Sequence, residues 1–307
     1  MWMRFTAGEN ESGMRVGAAL RARGASRGLL RRLKRAGEVT VNGRPVRLDH
    51  VLHAGDQVEV RGDAGTRTVA AEDLPLEVVY WDHHLLVVNK PAGMLVHPAH
   101  EKAGTLANAV VAWLAARGAD AVPRPVNRLD RGTSGLVVFA LSPVVAHRLC
   151  LLRERGEMRR EYLGVAEGVP ARAEEREVEI VAPVAGKPAV TAYRVLRHWE
   201  NASLLLVTPR TGRLHQIRVH LAGVGHPLVG DTRYGARPCP AQSGPAPGAE
   251  MPVVHMSRPA LHAWRISFPH PVEETLLRLR APLADDIRSL IRQLSSSPAP
   301  QHRAPDR

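Results

Sequence analysis

Hydrophobic and polar positions change their spacing along the chain in a way that separates two regions. In the first, Leu29, Leu30 and Leu33 recur at helical spacing and should face a core. Ser26 can cap this helix and Gly37 can stop it, so the pattern predicts a helix over 26–36. Residues 38–42 alternate as a short strand, and Asn42-Gly43 is a hairpin turn signal. A return strand over 44–48 and a turn with a strand over 55–60 complete a small unit, 1–62. Small and polar residues over 63–75 read as a linker. From Leu76 the chain reads as strands with interspersed helices: 76–80, 84–89, 136–140, 189–196 and 202–208 as strands, 105–116 as a helix. A parallel nucleotide-binding fold would alternate strand and helix regularly, and this chain does not. The expected class is α+β: a mixed, mostly antiparallel central sheet with flanking helices over 76–294, plus a small N-terminal α/β domain. Pro, Gly and Ala crowd 238–252, an expected surface loop, and the tail from Ser295 lacks an apolar period and is expected to be disordered.

Composition adds a partner. The chain has 307 residues, 44% hydrophobic, with a formal net charge of +12 and a pI near 10.8. Residues 1–62 carry 12 Lys+Arg against 6 Asp+Glu, half of the excess charge. Arg27, Arg31, Arg32, Lys34 and Arg35 fill the polar surface of the 26–36 helix, which makes it an expected RNA-binding face. No run approaches the roughly 18 apolar residues of a membrane span. The first ten residues lack an apolar signal core. The two cysteines, Cys150 and Cys239, have neither disulfide-framework nor metal spacing. A cytoplasmic protein, acting as a monomer without metal, is expected. A phosphate loop of the form Gly-x-x-x-x-Gly-Lys is missing, which argues against nucleotide hydrolysis.

The candidate chemistry centres on Asn127-Arg-Leu-Asp-Arg-Gly-Thr-Ser-Gly-Leu136. It sets one carboxylate, Asp130, between Arg128 and Arg131 at a tight turn before an apolar strand. Cations on either side favour the charged carboxylate, which can serve as nucleophile, base or anchor for an arginine. Apolar neighbours Ile217, Val219 and Leu221 suggest that Arg218 is partly buried and therefore needs a carboxylate. His215 and His220 do not have the i, i+4 spacing of a helical zinc pair.

These residues carry a resemblance. The run around Asp130 resembles the catalytic signature of the RluA-type pseudouridine synthases. Four further strings resemble the same family in the same order: 82–98 with Asn89-Lys-Pro-Ala-Gly93, Arg160-Glu-Tyr-Leu163, Thr211-Gly-Arg-Leu-His-Gln-Ile-Arg218 with 225–231, and Arg258-Pro-Ala-Leu-His262. Together they cover roughly residues 75 to 290. The N-terminal unit is similar to the RNA-binding domain named after the fourth protein of the small ribosomal subunit. The resemblance implies an isomerase that needs no cofactor, since no atom enters or leaves. It implies Asp130 as the essential aspartate, with Tyr162 against the target uracil and available for proton transfer, and Arg218 paired to Asp130. It implies that Arg128 displaces the target base and fills the gap in the stack, while Arg213 and His215 are expected RNA contacts and Lys90 structural or RNA-facing. Three positions depart from the family pattern: Asn127 for His, Gly132 for an acidic residue, and Arg160 for Lys. The expected substrate is large-subunit ribosomal RNA, with transfer RNA as the alternative and a non-catalytic RNA-binding or ribosome-assembly role as the competing class.

Overall fold

The computed structural model describes residues 3–36, 39–61, 69–98, 103–119, 121–170, 176–235 and 256–296. Gly37, the 238–252 stretch and the tail beyond 296 lie outside the described residues.

The N-terminal region builds its own sheet and core. β1 (Met3–Thr6), β2 (Val39–Val41), β3 (Arg44–Pro45) and β4 (Gln57–Val60) pair antiparallel in the order β1-β4-β2-β3. Asn42 and Gly43 both take positive φ, 52° and 77°, which is what a two-residue turn between twisted strands demands. Helices α1 (Val16–Ala22) and α2 (Arg27–Ala36) pack on the sheet. Ser26 caps α2, its hydroxyl accepting from the Leu29 N–H at 3.1 Å. Leu29, Leu30 and Leu33 are buried in this core, while Arg27, Arg31, Arg32, Lys34 and Arg35 are exposed.

The larger region is a ten-stranded sheet. Its strands are β5 (Glu77–Trp81), β6 (Leu85–Lys90), β7 (Arg124–Pro125), β8 (Ser134–Ala140), β9 (Arg159–Glu167), β10 (Val178–Val181), β11 (Val190–His198), β12 (Ala202–Pro209), β13 (Leu261–Pro269) and β14 (Leu276–Arg280). The main path runs β10-β11-β12-β9-β13-β8-β6-β5, with β14 on β13 and β7 on β8. Among the described residues every pairing is antiparallel except β8 with β13, where His262 meets Ser134 and Ala263 meets Gly135. Gly135 has φ +112°, and a Cβ there would stand 2.3 Å from the Ala263 carbonyl oxygen. A larger residue would prevent the two halves of the sheet from joining, directly beneath the Asp130 run.

Helices α3 (Leu106–Ala115), α4 (Pro143–Glu154), α5 (Gln216–Gly223) and α6 (Asp285–Ser296) flank the sheet. Thr105 and Asn108 form a capping box at the start of α3. Within the stretch read as a linker, residues 69–75 lie against α3: the Ala70 carbonyl accepts from Asn108 and the Glu72 carboxylate accepts from the Gly104 N–H. At the other end, α6 runs two residues into the expected tail. Ser295 and Ser296 donate back to the Ile291 and Gln293 carbonyls, which extends the helix instead of breaking it.

The two regions are joined by α4. Val144 inserts into the N-terminal core, and Arg148 donates twice to the Arg23 carbonyl, which closes α1, and once to Pro271. The N-terminal core and the larger sheet thus pack together through α4. Burial of Arg124 on β7 and the charge of Arg32 on α2 hold the Arg124 guanidinium below its ordinary value, so α2 faces the strand that leads into the Asp130 run.

Candidate active site

The Asp130 run is a turn braced from four sides. Thr133 N–H donates to the Asp130 carbonyl at 3.0 Å and closes it. Asn127 pins its base to β8, donating to Leu136 O at 3.0 Å and accepting from Val138 N–H at 2.8 Å. A polar residue other than the family's His therefore still holds this loop. Gly93, at φ +85°, exchanges two hydrogen bonds with Arg131, 2.8 and 2.9 Å. Lys90, fully buried, donates to the carbonyls of Pro91 and Met94, each at 2.8 Å, and to Arg131 at 3.3 Å. Its three N–H groups thus tie the Pro91–Gly93 turn to the Asp130 turn. Burial, helped by Arg258, pushes the Lys90 ammonium down to about 7.

The fourth brace is Arg258, which donates to the Gly132 carbonyl at 2.9 Å and to the Ser134 hydroxyl at 3.4 Å. Its carboxylate partner is Asp286 of α6, bound through two nitrogens at 2.6 Å each. A side chain at Gly132 would begin 3.2 Å from Pro259. The glycine thus stands where Pro259 crowds the turn, and the charge partner comes from α6 instead. His262 completes the brace, its Nδ1 2.9 Å from the Ser134 hydroxyl.

The result is a pattern of one in, one out: Leu129 is buried, while Arg128 and Arg131 are exposed. The Asp130 side chain is 20% exposed, its Oδ2 3.5 Å from Arg218 Nη1 and its Oδ1 3.8 Å from His215 Nε2. Arg218 comes from α5 and is 10% exposed at its side chain. The resemblance pairs it with Asp130, but its shorter bonds go elsewhere. Nε and Nη2 form a bidentate pair with the fully buried Asp231, at 2.7 and 2.8 Å. This bonding to Asp231, outweighing burial, pushes the Arg218 guanidinium up. Asp231 fixes the plane of the fork, and the remaining nitrogen is left for Asp130.

Tyr162 stands in β9, buried in the main core with Leu129, Ile217 and Leu221. Burial pushes its hydroxyl up, and the charge of Asp130 adds to this. The loop before α5 is locked by Gln216, whose amide donates to Val190 O and Thr191 Oγ1 and whose oxygen accepts from Thr211 Oγ1 and Arg213 N–H. Arg160, a departure from Lys, donates to the Pro209 and Thr211 carbonyls and ties β9 to this loop. Arg213 is exposed, its Nε bonded to Pro188 O. Asp130, Arg218, His215 and Tyr162 are brought to one place; Arg128 and Arg213 lie on its exposed side, and the α2 cations lie in the other domain. Sequence reasoning missed Asp231, Asp286 and Tyr234, whose hydroxyl lies 2.8 Å from His215 Nδ1. The first was within reach, since a buried arginine demands a carboxylate and Asp231 ends one of the quoted strings.

Comparisons with known proteins give the family. A family model described as RNA pseudouridylate synthase matches residues 84–223. A protein of Nitrosomonas europaea named ribosomal large subunit pseudouridine synthase D is 36% identical over 241 residues, 74% of this chain and 68% of that one. A protein of the same name from Escherichia coli is 34% identical over 304 residues, 93% of this chain and 92% of that one. The solved human RNA pseudouridylate synthase domain containing 4 shares the fold, with a TM-score of 0.57 at 24% identity over 71% of this chain and 93% of its own. Five strings converging on one braced aspartate, and relatives of 34–36% identity, one of them matched nearly end to end, make this chain a member of the RluA-type family of RNA pseudouridine synthases, isomerases that act on uridine in RNA.

Proposed function

We propose that the chain converts uridine to pseudouridine in large-subunit ribosomal RNA, in the cytoplasm and as a monomer, with Asp130 as nucleophile. The reaction breaks the bond from ribose C1′ to uracil N1 and joins C1′ to C5. C5 loses a proton and N1 gains one, so no cofactor is called for. The observation that carries the reading is the position of Asp130: partly exposed at the meeting point of all five strings, with Arg218 3.5 Å from one oxygen. A carboxylate held in this way can meet an extruded nucleoside without first reorganising. Tyr162, buried beside it, offers an aromatic wall and a hydroxyl to the uracil. Arg128, exposed two residues away, is assigned to fill the vacated stack, since extrusion otherwise costs a few kcal/mol. Arg213 and the α2 cations Arg27, Arg31, Arg32, Lys34 and Arg35 are assigned to the RNA, whereas His215, expected from the sequence as an RNA contact, faces Asp130. The names of the relatives favour the ribosomal target.

The test is to incubate ribosomal and transfer RNA, each from cells lacking the enzyme, with the purified chain, and to map new pseudouridines by chemical adduct and primer extension. New sites in the large-subunit RNA are expected. New sites confined to transfer RNA would overturn the target, and none in either would overturn the activity.

A further inference from the structure

We infer that His215 is a positioning residue for the isomerisation: its Nε2–H holds one oxygen of Asp130 while Tyr234 fixes the imidazole tautomer that allows it. The inference rests on the reading of Asp130 as nucleophile.

Three observations lead to it. His215 is the N-cap of α5 and sits in the left-handed region, φ 55° and ψ 20°. A non-glycine residue keeps that conformation only where its surroundings enforce it, and here it turns the ring back toward the Asp130 loop. Nδ1 lies 2.8 Å from the Tyr234 hydroxyl. Nε2 faces Asp130 Oδ1 at 3.8 Å. The ring is therefore held at Nδ1 by a hydroxyl, with Nε2 facing a carboxylate.

The tautomer follows from these neighbours. A carboxylate oxygen only accepts, so the nitrogen that faces it must carry the proton; a lone pair there would repel it. With the proton on Nε2, Nδ1 must accept, and the Tyr234 O–H donates to it. Tyr234 is held in turn, with its ring edge-on to His215 and the Arg218 guanidinium 5.0 Å from its centroid. Asp130 is then constrained at both oxygens, Oδ1 by His215 and Oδ2 by Arg218. Two donors on two oxygens fix the plane of the carboxylate and leave a lone pair on each for the sugar carbon. The gap of 3.8 Å exceeds a hydrogen bond, as is common before substrate closes a site.

The charged groups around the ring are Asp130 from its loop, Arg218 from α5, and Asp231 and Arg233 beyond the helix. Burial outweighs the two carboxylates and holds His215 below its ordinary value. The neutral ring orients Asp130 without adding a full charge. A second proton on the ring would turn that contact into an ion pair and blunt the nucleophile.

The experiment uses the full chain and a large-subunit RNA transcript, with enzyme in excess so that a single turnover reports the chemical step. His215→Gln keeps a donor near the Nε2 position and cannot titrate. His215→Asn is the better residue for a left-handed turn, but its amide reaches only the Nδ1 position. We expect His215→Asn to lose about 100-fold in rate, the scale of a misplaced reacting group. His215→Gln should lose no more than about tenfold and should lack the His component of the acid limb below about pH 6.5. Tyr234→Phe should fall between the two. Binding of the RNA by filter retention should hold in all three. An asparagine variant as fast as the glutamine one would mean that only the turn matters, and would overturn the inference. A loss confined to RNA affinity would do the same. Asp130→Asn is run alongside: if that variant is active, the reading of the nucleophile fails, whatever the His215 variants do.

Discussion

The cations of α2 and the guanidinium of Arg218 are the same kind of charge in opposite settings. Arg27, Arg31, Arg32, Lys34 and Arg35 stand exposed on one helix, and among the described residues Arg27, Arg31, Lys34 and Arg35 have no carboxylate partner. Arg218 is nearly buried and meets two carboxylates, one of them bidentate. In water, salt screens a charge within about 10 Å, so the helix can attract a polyanion but cannot orient an atom. In the protein interior, removing one partner leaves an uncompensated charge, so the geometry of the other is enforced. On the proposed reading the α2 cations contribute affinity and Arg218 serves the chemistry, in two regions joined through Arg148 and Val144 of α4.

That division can be broken at either end. The largest effect is expected for Arg218→Lys. One ammonium cannot bind Asp231 bidentately and still face Asp130, so the single-turnover rate should fall about 100- to 1,000-fold, the scale of a lost electrostatic donor, with little change in RNA affinity. A drop in affinity alone would place Arg218 among the groups that bind phosphate.

Acid should act on the buried side. Burial pushes the His262 imidazole down to about 4, against about 6.5 in an unfolded chain. Between those values the unfolded chain takes up the proton first. Stability contributed by the neutral ring is present above about pH 6.5 and falls as the pH drops toward 4, by about 3 kcal/mol in all. Urea melts across this range should show the slope in wild type and a clearly shallower one in His262→Gln. Equal slopes would mean that the imidazole is not what resists the proton.

The smallest effect on chemistry is expected from the exposed side. Replacing Arg27, Arg31, Arg32, Lys34 and Arg35 together by glutamine should weaken RNA binding. The slope of log affinity against log salt should drop by about 0.7 to 0.9 for each phosphate the helix no longer neutralises. The rate at saturating RNA should stay unchanged. An unaltered slope would remove α2 from the RNA interface.

How much of this was legible in the sequence follows from how local each feature is. The α2 helix, its Ser26 cap and its leucine face were readable because spacing of three and four residues settles them. So were the strands later found at 77–81, 85–90, 190–198 and 202–209. The Asp130 run was readable as a string, since its residues act within one turn. The partners that hold it were not. Asp231 lies 13 residues from Arg218 and Asp286 lies 28 from Arg258, and no periodicity joins them. The parallel join of β8 to β13 is equally non-local, though Gly135 marks it. The apolar residues of α6, Ile287, Leu290, Ile291 and Leu294, pack in one cluster, but the helix was not read from the sequence, and the serines at its end looked like the start of a tail. The left-handed turn at His215 had no sequence signal, because histidine seldom announces it.

The most direct test of the division is Asp130→Asn, which keeps the shape of the side chain and removes its negative charge. RNA affinity and its salt slope should match wild type, since the α2 face is intact, while the single-turnover yield of the carbon-linked isomer falls to background. An amide variant that forms pseudouridine at the wild-type rate would contradict the account.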